Sequence, residues 1–306
     1  MSVLDENRTF ILFKNILFKK QGMSRSPRYN QSLWQNSYFG RKHGKTETTI
    51  FVDWQNLLSD LKAIQETDER FKEPHFNFNN PDQLLVLIRS FLEPEEELKR
   101  IYFYVSEPFT EVELRIKNNK KEELEEYKKN NFKEYEEKAN KSGIMQTFNH
   151  KIAQQNQVKL RVGRVMFEFI DKLEDIEVHN GLKAKIPIPC LKLRQKQVDA
   201  LLAHDITKLY CTKPPGSILL FSKDTDFVPV LKEIREQGFK IFIAKIKESP
   251  ISVPSDLKKS CGVRKRSVAE IVAKLPKSQH TPKKKNFPPK EPFNSSLKDQ
   301  FSKNKK

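Results

Sequence analysis

The feature that most constrains the fold of this chain is the alternation of short apolar runs with segments of helical periodicity. The first apolar run, 48–52, is rich in β-branched residues, and leucine and isoleucine then recur at helical spacing from Leu57 to Ile64. A short continuous apolar run is typical of a strand that is buried on both faces of a parallel sheet. The alternation therefore predicts an α/β fold with a mainly parallel, doubly wound sheet of about five strands.

Further apolar runs predict the remaining strands of this sheet, at 99–105, 158–165, 217–221 and 240–245. Helices are predicted between them. Asn80 followed by Pro81 is typical of a helix start, because asparagine caps the first turn and proline fits its first position.

Two segments between the predicted strands differ from this alternation. Residues 110–142 are heavily charged, with glutamate and lysine repeatedly four residues apart, which predicts a long solvated helix or helical pair that ends at Gly143. Residues 167–190 predict an insertion, in the form of a hairpin, because Gly181 and the nearby prolines do not fit a helix.

The charge of the chain indicates a polyanionic partner. Lysine and arginine outnumber aspartate and glutamate by 57 to 40 over 306 residues, for a net charge of +17. Nucleic acid and an anionic membrane surface both qualify. The apolar patch at 10–18 is too short for a transmembrane span and has the wrong flanks for a signal peptide. We therefore expect no transmembrane segment, and a start at either Met1 or Met23. The three cysteines are too few and too scattered for a disulfide framework or a zinc cluster, so we expect a cytoplasmic protein with reduced thiols.

The composition divides the chain into three parts. Residues 1–46 predict a flexible basic leader, residues 47–275 a single domain that carries the charged helical insertion, and residues 276–306 a disordered tail. The tail has nine lysines against two acidic residues. It serves either as an electrostatic arm for polyanions or as a solubilising end.

Four aspartates stand where ligands bind in such a sheet. Asp53 follows the first predicted strand, Asp224 and Asp226 follow the fourth, and Asp199 opens the helix between them. If the first and fourth strands are neighbours at the topological switch point, these carboxylates gather beyond one edge of the sheet. Carboxylates that converge repel each other unless a cation lies among them, and oxygen ligands without histidine or cysteine select Mg²⁺ or Mn²⁺.

Each of these residues also has a structural interpretation. Asp53 and Asp224 could cap the helices that follow them, and Asp199 could interact favourably with the dipole at the start of its own helix. Ser222 and Asn56 could contact ligand or satisfy backbone groups, and Trp54 could pack in the core or stack on a base. His204, beside Asp205, is interpreted as structural because no further histidine lies at ligand spacing.

Three segments carry a family resemblance, at 52–57, 196–199 and 222–231. They read Val-Asp-Trp-Gln-Asn-Leu, Lys-Gln-Val-Asp and Ser-Lys-Asp-Thr-Asp-Phe-Val-Pro-Val-Leu, and in this order they resemble the three motifs of the NYN domain, a member of the PIN-like, FLAP-nuclease-related group. The resemblance covers about 48–270. It implies an α/β/α sandwich and a metal-dependent ribonuclease site in which Asn56 orients a ligand or the first loop. The implied metal-binding and catalytic residues are Asp53, Asp199, Asp224 and Asp226.

The chain departs from the family pattern at Lys223, where a glycine is common, and at 257–262, which lacks the acidic residue that relatives often carry there. We call the edge of the sheet at which the four aspartates are expected the rim. Lys223 either crowds this rim or contacts phosphate. The expected function is a Mg²⁺- or Mn²⁺-dependent endoribonuclease that acts on RNA, with the expected substrate contacts made by Asn56, Ser222, Lys196 and Lys223.

Two other functions remain open from the sequence. One is a non-catalytic RNA-binding module that keeps the fold, and the other is a phosphatase or topoisomerase-primase-like domain built on Asp224 and Asp226. The charged helix is also expected to offer a surface for a homo-oligomer or a protein partner.

Overall fold

The computed structural model describes residues 44–114, 116, 118–178 and 182–275. The predicted tail, the apolar patch at 10–18, both candidate start methionines and all but the last three residues of the predicted leader lie outside the described residues. No helix in the described part of the chain combines the length and the apolar composition that crossing a bilayer requires.

Six parallel strands form the central sheet. They are β1 (Thr46–Asp53), β2 (Glu96–Ser106), β3 (Val158–Gly163), β6 (Ser217–Phe221), β7 (Lys240–Ile246) and β8 (Gly262–Arg266). Their order across the sheet is β3-β2-β1-β6-β7-β8, so the chain winds outward from β1 in one direction and from β6 in the other. The predicted α/β/α fold with a doubly wound sheet is confirmed, and β1 and β6 are neighbours at the switch point.

Helices cover both faces of this sheet. They are α1 (Trp54–Thr67), α2 (Pro81–Arg89), α3 (Phe109–Leu114), α4 (Asn118–Asn130), α5 (Phe132–Ala153), α6 (Val198–Thr212), α7 (Val228–Glu236), α8 (Ser255–Ser260) and α9 (Val268–Val272). The side chain of Asn80 caps α2 by accepting from two backbone amides, as the sequence predicts.

The alternation of side chains along β1 creates two separate cores. Ile50 and Val52 are fully buried against α1, α2 and α9, whereas Phe51 is fully buried on the other face against α6 and α7. Because successive side chains of a strand point to opposite faces, a wholly apolar run is required when both faces are covered. Ile50, Phe51 and Val52 satisfy that requirement, and they follow two buried threonines, Thr48 and Thr49.

An accessory unit lies beside the central sheet. The antiparallel hairpin of β4 (Val165–Val178) and β5 (Leu182–Gln195) packs against α3, α4 and α5 around a third core, in which Phe109, Leu124 and Phe167 are buried. The hairpin predicted for 167–190 is confirmed, and it extends beyond the predicted bounds.

Two expectations about the charged segment were wrong. The charged segment forms three helices, and Gly143 lies within α5 because its position faces open space and a helix tolerates an exposed glycine at a cost of about 1 kcal/mol. The sheet has six strands, and β8 escaped prediction because charged residues dominate it. Arg264 holds β8 in place, since its guanidinium donates to Glu96 at 2.6 Å and both side chains are buried.

Candidate metal centre

The site lies beyond the carboxyl ends of β1 and β6. Val52 pairs with Phe221 in the parallel register, so Asp53 and Ser222 leave the two strands side by side. The hydroxyl of Ser222 donates to the carboxylate of Asp53 at 3.3 Å. The switch point thus brings together motifs that are about 170 residues apart in the sequence.

Asp53 is the buried centre of the site, with 3 % of its surface exposed. Its carboxylate accepts from the backbone amide of Asn56 at 3.2 Å and from the side-chain amide of Asn56 at 2.8 Å. Burial raises the pKa of Asp53, the hydrogen bonds from Asn56 and Ser222 oppose this rise, and the charge of Asp224 adds to it. Asp53 therefore caps α1 and also belongs to the acidic site, so the two interpretations of this residue do not exclude each other.

Asp226 lies in the short 3₁₀ turn Thr225–Phe227 that follows β6, and Asp224 caps the start of that turn. The backbone amide of Asp226 donates to the carboxylate of Asp224 at 2.9 Å, and the amide of Asp224 donates to the hydroxyl of Ser222 at 3.2 Å. Asp224 is half-buried and Asp226 is exposed. Ser222 thus links Asp53 and Asp224 through one hydroxyl.

Asp199 brings the third motif to the same rim. It lies in the first turn of α6 and its side chain is exposed. Desolvation raises the pKa of Asp199, and the charges of Asp53, Asp224 and Asp226 each raise it further. Asp199 is therefore affected by the charges of the other three predicted acids, although the four come from three separate segments of the chain.

A buried network fixes α6 on the sheet. Asp205 accepts from the hydroxyl of Tyr104 at 2.9 Å and from the guanidinium of Arg161 at 3.1 Å, and only 8 % of its side chain is exposed. The carboxylate of Asp205 also raises the pKa of Tyr104, after the larger effect of burial. His204 is exposed beside this network, with its Nδ1 3.4 Å from the carboxylate of Asp205.

Lys223 turns away from the acids. Its ammonium forms an ion pair with Asp60 of α1 and donates to the backbone carbonyl of Ile251 at 2.9 Å, and 8 % of the side chain is exposed. Ser249 also donates to Asp60, at 2.6 Å. The alternatives of a crowded rim or a phosphate contact do not describe this arrangement, because the ammonium is already paired beneath the rim.

Asp60 is a residue that the sequence analysis missed. The signal was present, since Asp60 stands four residues after Asn56 on a helix face that otherwise carries leucine and isoleucine. The backbone amide of Lys223 donates to the side-chain oxygen of Asn56 at 3.2 Å, so Asn56 and Asp60 hold the loop after β6 from one helix.

The other two predicted residues are Lys196 and Trp54. Lys196 is exposed at the end of the hairpin, where its backbone amide donates to the carbonyl of Arg164 at 2.7 Å. Trp54 packs in the core against Phe103 and Phe148, with ring centroids 5.5 and 5.0 Å away. The packing interpretation of Trp54 is therefore the one that the structure supports.

The donor chemistry of the rim suits a hard divalent cation. It offers carboxylate, hydroxyl and amide oxygens, and the negative charges that raise the pKa of Asp199 would be neutralised by such an ion. Among the residues that the structure describes, however, no three acidic, histidine or cysteine side chains form a ready metal-binding group. The rim is thus acidic and rich in oxygen ligands, but its described side chains are not already arranged as a metal-binding group.

Comparison with known proteins gives one family. The family model of the NYN domain matches residues 47–264, which is more than half of the chain. No curated protein and no solved structure matches the chain.

Proposed function

Because this chain belongs to the NYN domain family, we propose that it is a metal-dependent endoribonuclease. The resemblance inferred from the three ordered motifs is confirmed by the match over residues 47–264. NYN domains are PIN-like domains of a nuclease family, and they typically bind nucleic acid. The proposal goes further in naming RNA as substrate, a divalent cation as cofactor and four aspartates as the catalytic residues.

One observation carries the proposal. Ser222 donates to Asp53 and accepts from the backbone amide of Asp224, so acids of two motifs meet at the switch point. Desolvation and then the charges of Asp53, Asp224 and Asp226 raise the pKa of the third motif's acid, Asp199. Structural capping accounts for Asp53 and Asp224 individually, but it gives no reason for Asp199 and Asp226 to stand against them. A site that gathers negative charge at the ligand-binding edge of the sheet is expected to receive a cation.

Mg²⁺ or Mn²⁺ would be held by Asp53, Asp199, Asp224 and Asp226. When bound, such an ion lowers the pKa of water and neutralises charge on the phosphate oxygens. Asn56 and Ser222 hold the carboxylate of Asp53 in one orientation through hydrogen bonds of 2.8 and 3.3 Å, so this ligand is fixed before substrate arrives. Ser222 fixes the backbone of Asp224 through the same hydroxyl.

The proposed reaction is hydrolysis of the phosphodiester bond. Water attacks the phosphorus in line, the bond to the 3′ oxygen breaks, and that oxygen leaves as a hydroxyl after taking a proton. The attacking water gives up one proton, which balances the proton taken by the leaving oxygen.

A non-catalytic RNA-binding module is the second candidate. It is favoured by the finding that, within the described part of the chain, no three metal-ligating side chains are preassembled. In such a module the acids would serve structural roles such as helix capping.

Cleavage assays with a labelled RNA separate the two candidates. We expect cleavage with Mn²⁺ or Mg²⁺, none with EDTA, and none by Asp53→Asn or Asp224→Asn in either buffer. The matched control is Asp256→Asn, which removes an exposed acid from α8 and should leave cleavage unchanged. Cleavage by Asp224→Asn at the parental rate would reject the site, and RNA binding without metal-dependent cleavage by the parent would favour the second candidate.

A further inference from the structure

The β4–β5 hairpin begins and ends at the rim of the proposed active site. Gly163 ends β3 next to Lys196, and a Cβ added to Gly163 would lie only 2.8 Å from the carbonyl oxygen of Lys196. Asp199 follows three residues later on α6. The two strands of the hairpin therefore leave and rejoin the domain immediately beside one of the four acids.

One face of the hairpin is fixed against the helices of the accessory unit. Val165, Phe167 and Leu191 are buried in the third core, together with side chains of α3 and α4. The carboxylate of Glu107, just beyond β2, accepts from the backbone amide of Val165 at 2.5 Å. The base of the hairpin is thus anchored both to a core of its own and to the sheet.

The opposite face of the hairpin base is exposed. Met166 pairs in register with Arg194, and Glu168 pairs with Lys192. Paired residues of an antiparallel ladder have their side chains on the same face. Because side chains alternate along a strand, these four residues lie on the face opposite the buried Val165 and Phe167. Met166 is 59 % exposed and the side chain of Arg194 is 52 % exposed, with Glu168 2.6 Å from the guanidinium.

Charge is distributed unevenly along the hairpin. At the base, in 164–170 and 186–196, four basic residues stand against the single acid Glu168. At the tip, in 171–185, three lysines stand against four acidic residues. The positive charge is therefore concentrated at the end that adjoins the acidic rim.

We propose that the base of the hairpin binds the phosphate backbone of a single RNA strand that enters the acidic rim. The binding residues are Arg164, Lys192, Arg194 and Lys196, all exposed. From Lys192 to Lys196 a strand rises about 13 Å at ~3.3 Å per residue, which is long enough for more than one phosphate. This inference rests on the proposed function, because it takes RNA as the substrate.

A basic surface beside the acids has a physical purpose. The aspartates repel an approaching phosphate chain, so affinity must come from cations near the rim. The base of the hairpin supplies them on an anchored scaffold, where fewer side-chain and loop motions have to be ordered on binding.

The test compares two pairs of substitutions in the same hairpin of the full chain. Lys192→Gln/Arg194→Gln removes two charges at the base, and Lys183→Gln/Lys185→Gln removes two at the tip. Binding of a fluorescein-labelled 20-nucleotide RNA is measured by anisotropy in EDTA at several KCl concentrations. The slope of log K against log salt is negative, and we expect its magnitude to decrease by about 1.4 for the base variant, roughly 0.7 for each lost phosphate contact. For the tip variant we expect the slope to stay unchanged.

Equal slopes for the base and tip variants would overturn the inference. If the base variant does not fold, as judged by its thermal unfolding curve, Arg164→Gln/Lys196→Gln provides the same comparison. Hydrolysis of bis(p-nitrophenyl) phosphate by the parent with Mn²⁺ tests the proposed function separately, because this substrate is too small to need the hairpin. If the parent does not hydrolyse this substrate but the base and tip variants still differ in slope, the nuclease function is rejected and the RNA-binding surface is supported.

Discussion

Lys223 and Asp60 form an ion pair beneath the rim of the sheet, with 8 % and 10 % of their side chains exposed. Burial lowers the pKa of Lys223, and the carboxylate of Asp60 opposes that shift. The pair connects the loop that carries Asp224 to the middle of α1, whose first residue follows Asp53. It therefore holds two of the predicted ligand segments against each other.

Breaking this pair should destabilise the fold. Lys223→Met leaves the buried charge of Asp60 without its cation, which we expect to lower the free energy of unfolding by about 3–5 kcal/mol. Lys223→Met/Asp60→Asn should lose less than the sum of the two single changes, because it leaves no unpaired charge. Urea unfolding of the four proteins measures the cycle, and strictly additive effects would show that the pair is not coupled.

Asp199 should destabilise the protein at neutral pH when no divalent cation is present. Its pKa is raised above the ordinary value of 3.8, first by desolvation and then by three neighbouring carboxylates. A raised carboxyl pKa means that stability is lost as the pH rises through the folded-state pKa. Asp199→Asn should therefore be more stable than the parent at pH 7 in EDTA, and the difference should vanish below pH 3.8.

Thermal unfolding between pH 3 and pH 7 measures this difference. Asp256→Asn, which changes an exposed acid on α8, serves as the control for the loss of one negative charge. An Asp199→Asn variant that is less stable than the parent at pH 7 would contradict the repulsion among the rim acids.

Asn56 should tune the metal affinity of Asp53. Its side-chain amide donates to Asp53, and its side-chain oxygen accepts from the backbone amide of Lys223. Asn56→Ala should weaken Mn²⁺ binding by roughly 10–100-fold, since partners of this kind orient the ligand. Isothermal titration with Mn²⁺ measures the change, and Gln55→Ala, at the exposed neighbouring position, provides the control. Equal affinities for the two variants would remove Asn56 from the site.

Tyr104 should stabilise the placement of α6 without contributing to metal binding. Tyr104→Phe removes the hydrogen bond to the buried carboxylate of Asp205, at an expected cost of about 1.5–3 kcal/mol in the free energy of unfolding. Tyr102→Phe, on the same strand and the same face, is the matched control. The prediction fails if both variants unfold at the same urea concentration.

Local pattern was sufficient to predict most of the sheet. The run 48–52 had to be buried on both faces, and the acids after it and after 217–221 had to meet once those strands became neighbours. The hairpin was also recognisable, because Gly181 and two prolines excluded a helix. The strand β8 was not recognisable, because its stability comes from Arg264 reaching Glu96 across 168 residues.

The sequence by itself determined the α/β class and the positions of Asp53 and Asp224 after apolar runs, since both follow from periodicity, whereas the tertiary structure made β1 and β6 neighbours. Only the tertiary structure decided the partner of Lys223, the link that Ser222 makes between Asp53 and Asp224, and the position of the hairpin beside Asp199. The physical reason is range: periodicity acts over a few residues, whereas hydrogen bonds, ion pairs and desolvation depend on which distant segments the folded chain brings into contact.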